Sequence, residues 1–141
     1  IKDILVLSNG EKIPPADMEM AIALDPLFEQ VMVVGEGKPY LTALAVLNPD
    51  LWPGLAREKG LNPDAPESLR DERLVSEALR HVRAALTDFP GYAKIRRLRL
   101  FLEPWSIDNG LITPTLKVKR NQVLARYATD VSAMYSGGPT A

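Results

Sequence analysis

The sequence predicts an α+β fold: a small mixed sheet with a β-hairpin and helices packed on it, in a single compact domain. Three observations carry this. Two runs rich in Val, Leu and Ala, 28–34 and 40–47, are joined by Gly35-Glu36-Gly37-Lys38-Pro39, the pattern of a hairpin with a longer loop. Val75, Leu79, Val82 and Leu86 recur at helical spacing, so 74–86 reads as an amphipathic helix. A length of 141 residues, 46% hydrophobic and 25% charged, suits one domain with a modest core.

The other elements follow in order. Residues 4–7 form a short β-type run, and Ser8-Asn9-Gly10 is a turn signal because Asn-Gly tolerates positive φ. Residues 11–13 would be the returning strand. Pro14-Pro15 opens a helix, with Asp17 and Glu19 in its first turns facing the positive end of the dipole. Met18, Ala21 and Ile22 give it an apolar stripe, and Asp25-Pro26 stops it. Residues 49–66 are irregular apart from a helical stretch around 51–59. Phe89-Pro90-Gly91 ends the long helix. Ile95, Leu98, Leu100 and Leu102 lie in the next strand, and 104–110 is a loop. A final helix carries Leu124, Tyr127 and Val131 on one face, and 137–141 is a flexible tail.

Composition excludes several kinds of chemistry. The absence of cysteine removes disulfides, thiolate catalysis and cysteine metal sites. The single histidine, His81, argues against a histidine metal site or a triad, and no metal ligands are assigned; it lies off its helix's apolar stripe and reads as exposed. A net charge of −1 gives no bulk attraction to nucleic acid or an anionic membrane. No apolar run is long enough to span a bilayer, and the apolar run at the N-terminus is too short for a signal peptide. The chain has no starting Met and begins inside a strand pattern, which suggests an excised fragment. A cytoplasmic location is compatible with all of this.

One segment concentrates charge. Thr113-Pro114-Thr115-Leu116-Lys117-Val118-Lys119-Arg120 places three cations in four positions. A turn bearing Thr and Pro is a stiff platform on which a lysine can neutralise a phosphate or carboxylate. On the residues alone, a solvated basic helix start is the simpler reading. Arg97 and Arg99 alternate as the wet face of a strand would, and Trp105 reads as a packing anchor.

Together these segments resemble the AMP-forming ligases, the superfamily of acyl-CoA synthetases, luciferases and adenylation domains. Residues 1–15 resemble its hinge motif, in which Gly-Arg-x-Lys/Asp precedes a hydrophobic strand, a Gly-bearing turn and a Pro before an acidic helix. The Gly-Arg pair would fall before Ile1. Ser8-Asn9-Gly10 looks like the long-chain form of the turn. Residues 111–120 resemble the final core motif in its long-chain variant, with Leu116 where short-chain members commonly have Gly. Phe89-Pro90-Gly91-Tyr92-Ala93-Lys94-Ile95-Arg96-Arg97 resembles the connecting segment. The order and spacing match the C-terminal domain of a long-chain fatty-acid CoA ligase across nearly the whole chain.

The resemblance implies a C-terminal lid domain over 1–136, with a large N-terminal domain absent from this chain. The full enzyme would use ATP and Mg, release AMP, and take a fatty acid and coenzyme A as substrates. It would be cytoplasmic, with any peripheral membrane contact made through the missing domain. Lys117 matches the lysine that enters the site for adenylation. Lys2 falls on the hinge position, and Gly10 on the turn that comes near the pantetheine tunnel after rotation. Lys119, Arg120 and Arg97 are candidate phosphate contacts, and Arg97 with Arg99 could meet coenzyme A phosphates. The fragment alone, lacking a Gly-rich phosphate loop, would bind none of these cofactors tightly and would be inactive. Two rivals remain at this point. One is another carboxylic acid substrate within the superfamily. The other is a stand-alone anion- or RNA-binding module using 94–99 with 117–120, against which the near-neutral charge and the lack of interleaved aromatics argue.

Overall fold

A computed structural model of the chain describes residues 3–136. The hinge candidate Lys2 and the tail 137–141 lie outside the described residues. Two short strands, β1 (Leu5–Val6) and β2 (Lys12–Ile13), pair antiparallel with Leu5 opposite Ile13. Gly10 closes their turn at φ 89°, a conformation glycine adopts without strain, and its N–H donates to Leu7 O at 2.9 Å. Helix α1 (Pro15–Ala23) follows. Then come β3 (Phe28–Val34), β4 (Leu41–Leu47), α2 (Trp52–Glu58), a 3₁₀ turn (Pro66–Arg70), α3 (Glu72–Ala85) and β5 (Ile95–Phe101). Asp71 caps α3 by accepting from the Arg73 and Leu74 amides.

The order β3-β4-β5 makes β4 the central strand, antiparallel to β3 and parallel to β5. The mixed sheet with its hairpin is therefore the one the sequence predicts. Every residue of β4 is buried, so each face needs a cover. On one face, Met18 and Ile22 of α1 and Leu74, Ala78 and Val82 of α3 pack on Val31, Val33, Ala43, Ala45, Leu98 and Leu100. On the other, Met32, Val34, Leu44 and Val46 meet Trp105, Leu111, Ile112, Val123, Val131 and Met134.

Three sequence expectations are corrected here. The final helix is two helices, α4 (Arg120–Arg126) and α5 (Ala128–Tyr135), broken at Tyr127. The Tyr127 ring packs on Phe101 of β5 at 4.2 Å between centroids, and the break lets α5 turn across the sheet. Consequently Arg97 and Arg99 are not on a wet face. They are half-buried, and Arg99 Nε lies 3.1 Å from Asp130 of α5. His81 is only partly exposed. Its Nδ1 lies 2.6 Å from Asp25 Oδ2, which ties α3 to the end of α1.

The end of α5 is pinned to the hairpin. Tyr135 stacks on Tyr40, and its hydroxyl accepts from Thr42 Oγ1 and donates toward Tyr40 O. Burial pushes its phenol up to about 12. No helix among the described residues is long and apolar enough to cross a membrane.

Candidate functional site

The segment carrying Lys117 is a closed loop that departs from the second core. Ile112 bridges Val118 antiparallel, and the Lys119 N–H donates to Leu111 O at 2.8 Å. Inside that bridge, the Thr113 N–H donates to Lys117 O and the Leu116 N–H to Thr113 O, both at 2.8 Å. Thr113 Oγ1 accepts from the Lys117 N–H at 2.9 Å. The tip is thus held by backbone and by Thr113, with Pro114 fixing one φ. Val118 packs against the core, so the flanking Lys117 and Lys119 project outward and are exposed.

Leu116 sits at φ 67°, the left-handed region. Its side chain is 75% exposed, so packing does not explain the conformation; the two turn bonds impose it. A non-glycine residue there stores about 1–2 kcal/mol. Leu116→Gly is therefore expected to stabilise the chain by up to ~1 kcal/mol after the unfolded-state entropy of glycine is subtracted. Leu116→Ile, β-branched, should destabilise by about 1 kcal/mol. Thermal melts of the two variants should move in opposite directions; a less stable glycine variant would contradict the left-handed turn.

Arg120 behaves differently from the two lysines. It starts α4, and its guanidinium forks onto Glu19 of α1, Nη2 to Oε1 at 2.6 Å and Nη1 to Oε2 at 2.8 Å. Its Nε lies 3.3 Å from Asp3. Hydrogen bonding to Glu19 holds Arg120 above its usual range, against the burial that opposes its charge. Glu19 Oε2 also accepts the Val33 amide of β3 at 2.7 Å. The base of the lysine loop is thereby tied to α1, to the sheet and to the residue next to Lys2. Glu19 was read from sequence only as a first-turn acid; its partner is 101 residues away, and no local signal marks it.

Gln30 is a second residue that sequence reasoning missed. Its amide exchanges two bonds with the Trp105 backbone, accepting at 2.7 Å and donating at 2.9 Å. Trp105 itself is 3% exposed. Asn109 then folds the loop by accepting from Ser106 N and donating to Pro104 O. This fixes the point from which the lysine loop departs. One groove of 660 Å³ runs beside it, between Trp105, Ile107, Ile112 and Leu116. Another, of 640 Å³, runs between Asp3, Leu5, Glu36, Lys119 and Arg120.

The structure brings Lys117, Lys119 and Arg120 onto one loop and its base, with Arg120 engaged in ion pairs. Gly10 lies in the β1–β2 turn, with open space where a Cβ would stand. Arg97 lines a different groove, with Leu79 and Met134. Among the described residues, no group of three or more His, Asp or Glu side chains could hold a metal ion.

The family described as AMP-binding enzyme C-terminal domain matches residues 2–138. A long-chain-fatty-acid–CoA ligase of Mycobacterium tuberculosis, FadD15, is 31% identical over 137 residues, covering 96% of this chain and 23% of that protein. A chloroplastic long-chain-fatty-acid–[acyl-carrier-protein] ligase of Arabidopsis thaliana, AEE15, is 30% identical over 137 residues, covering 96% of this chain and 17% of that protein. Among solved structures, the A domain of carboxylic acid reductase from Segniliparus rugosus, in complex with AMP and a co-purified carboxylic acid, superposes with a TM-score of 0.76 at 25% identity. It covers 94% of this chain and 19% of that one. The chain spans a quarter or less of each relative.

Proposed function

Because the chain belongs to the AMP-binding enzyme C-terminal domain family and is related to fatty-acid CoA ligases, we propose that it is the mobile C-terminal domain of an ATP-dependent long-chain fatty-acid CoA ligase. In the first half-reaction a fatty-acid carboxylate oxygen attacks the α-phosphorus of ATP. The bond to pyrophosphate breaks and an acyl-adenylate forms. In the second, the thiol sulfur of coenzyme A attacks the acyl carbonyl carbon, the thiol proton is lost, and AMP leaves. The first step brings two anions together and needs a cation aimed at the meeting point. Lys117 is that cation in this reading. The carboxylate is already ionised, so no base is required.

The observation that carries the reading is the presentation of Lys117, exposed at the tip of a loop braced by Thr113 and the Ile112–Val118 bridge. A stiff mount lets a rigid-body swing deliver or withdraw the ammonium group without refolding the loop. Lys2 would absorb the swing, Gly10 would approach the coenzyme A arm afterwards, and Lys119 would assist with phosphate charge. The adenine, Mg and acyl sites are assigned to a large domain encoded upstream of Ile1, where a Ser/Thr/Gly-rich phosphate loop is expected.

The hinge supplies the test. Proline fixes φ, so Lys2→Pro in the full-length enzyme should leave adenylation largely intact while thioester formation falls about tenfold or more, a barrier increase of at least ~1.4 kcal/mol. Pyrophosphate release and acyl-CoA formation, measured separately, report the two steps. Equal loss of both would count against a hinge at this position.

A further inference from the structure

We propose that the hairpin loop 35–38 positions the Gly10 turn for the thioester step, with Gly35 and Glu36 as its positioning residues. This deepens the ligase reading and rests on it, since that reading places the Gly10 turn beside the coenzyme A arm. β1 and β2 have two residues each, and a two-stranded pair is marginal by itself. Successive residues of β1 turn their backbone groups to opposite edges. Leu7 turns to β2, its N–H donating to Glu11 O at 2.9 Å. Val6 and Ser8 turn to the other edge, where the loop meets them. The Gly37 N–H donates to Val6 O at 2.8 Å, and the Ser8 N–H to Lys38 O at 2.9 Å. The Val6 N–H donates to Glu36 Oε1 at 3.0 Å. The loop thus acts as a third strand of the ribbon, and the Glu36 carboxylate stands in for a strand carbonyl.

The loop is itself fixed. The Lys38 N–H closes it on Gly35 O at 2.9 Å, with Gly37 at φ 70°. The Lys38 ammonium lies 5.1 Å from the centre of the Tyr135 ring, and the Tyr135 hydroxyl donates to Tyr40 O, so α5 holds the loop from behind. Gly35 sets how closely the ribbon approaches. A Cβ at Gly35 would stand 2.5 Å from Leu41 Cδ2 and 3.2 Å from Leu7 Cδ2. Leu41 is 1% exposed and has no free space to enter, so an added methyl would push Leu7 outward. Leu7 and Ser8 run directly into Asn9-Gly10, and the Gly10 N–H donates to Leu7 O. The turn would therefore move with them. Lys117 would keep its place, because Thr113 and the Ile112–Val118 bridge brace its loop. Small misplacements of this kind cost rate without removing any reacting group.

The test uses the full-length enzyme. Thioester formation is started from synthetic acyl-adenylate with coenzyme A varied, and adenylation is followed separately by pyrophosphate release. Glu36→Ala should raise the KM for coenzyme A about fivefold, the factor one hydrogen bond is worth, and leave adenylation unchanged. Glu36→Gln, which keeps an acceptor for the Val6 N–H, should restore most of it. Gly35→Ala should raise that KM about tenfold or more. Glu36 is exposed, so Glu36→Ala keeps the fold and carries the test where Gly35→Ala does not fold. Gly10→Asn tests the underlying reading: asparagine tolerates positive φ, and its side chain would enter the open space at Gly10, where it should obstruct coenzyme A. A raised KM in Gly10→Asn with an unchanged one in Glu36→Ala would overturn this proposal alone. An unchanged KM in both would overturn the place of the Gly10 turn in the ligase reading, and this proposal with it. Equal loss of both half-reactions in Glu36→Ala, not relieved by Glu36→Gln, would also overturn it, as a contact serving stability only.

Discussion

In the full-length enzyme, Lys117→Ala is expected to slow acyl-adenylate formation by about 10²–10³-fold, the usual loss when one preorganised charge is removed from a transition state. The argument is local. The ammonium group acts while carboxylate and phosphate charges meet, and it has no part once the adenylate exists. Supplying synthetic acyl-adenylate and coenzyme A should therefore restore most product formation in the variant. Lys119→Ala is the comparison, because Lys119 projects from the same loop beyond Val118 and is also exposed; assisting with phosphate charge alone, it should slow adenylation less than Lys117→Ala does. Arg120→Ala is a poor control for charge alone, since Arg120 is held by Glu19 and Asp3. A loss in both half-reactions of less than about tenfold, no larger than that of Lys119→Ala, corresponds to under ~1.4 kcal/mol. That would make the segment an ordinary solvated turn.

Much of the fold was legible because its signals are local. The apolar run of β4, broken only by Thr42, and the spacing of Val75, Leu79 and Val82 record burial directly, and the turn at Asn9-Gly10 records backbone chemistry. The lysine loop was legible for the same reason: Thr113, Pro114 and Lys117 lie within five residues. What escaped is long-range and polar. Glu19 finds Arg120, and Gln30 clasps the Trp105 backbone 75 residues away; an acid or an amide on an amphipathic element carries no mark of its partner. Arg97 and Arg99 were misread because period-two alternation distinguishes two faces of a strand without saying what covers each. The break at Tyr127 folds α5 over those arginines, and helical periodicity passes through such a break almost unchanged.

The Glu19–Arg120 pair leads to the second large expected effect. Glu19→Ala is expected to destabilise the chain by about 2–3 kcal/mol. Breaking a fully buried pair from one side costs about 3–5 kcal/mol; here the side chains keep 15% and 23% exposure, so water recovers part of it. The variant leaves a half-buried guanidinium with only the more distant Asp3 carboxylate beside it and also removes the acceptor of the Val33 amide. At about 2–4 °C per kcal/mol for a chain of this size, the melting temperature should fall by roughly 8 °C. Glu19→Gln, which keeps an acceptor for both partners but not the charge, should recover part of the loss. Replacing Arg120 as well, in Glu19→Ala with Arg120→Met, should be less harmful than the single change, because no unpaired charge is left behind. The same tie carries a functional consequence. Arg120 follows Lys119 directly, so releasing it frees one end of the lysine loop. At a temperature where Glu19→Ala remains folded, adenylation should therefore fall more than the thioester step does. A stability change below about 0.5 kcal/mol would place the pair among ordinary surface ion pairs, and the loop would then be held by Thr113 and the Ile112–Val118 bridge alone.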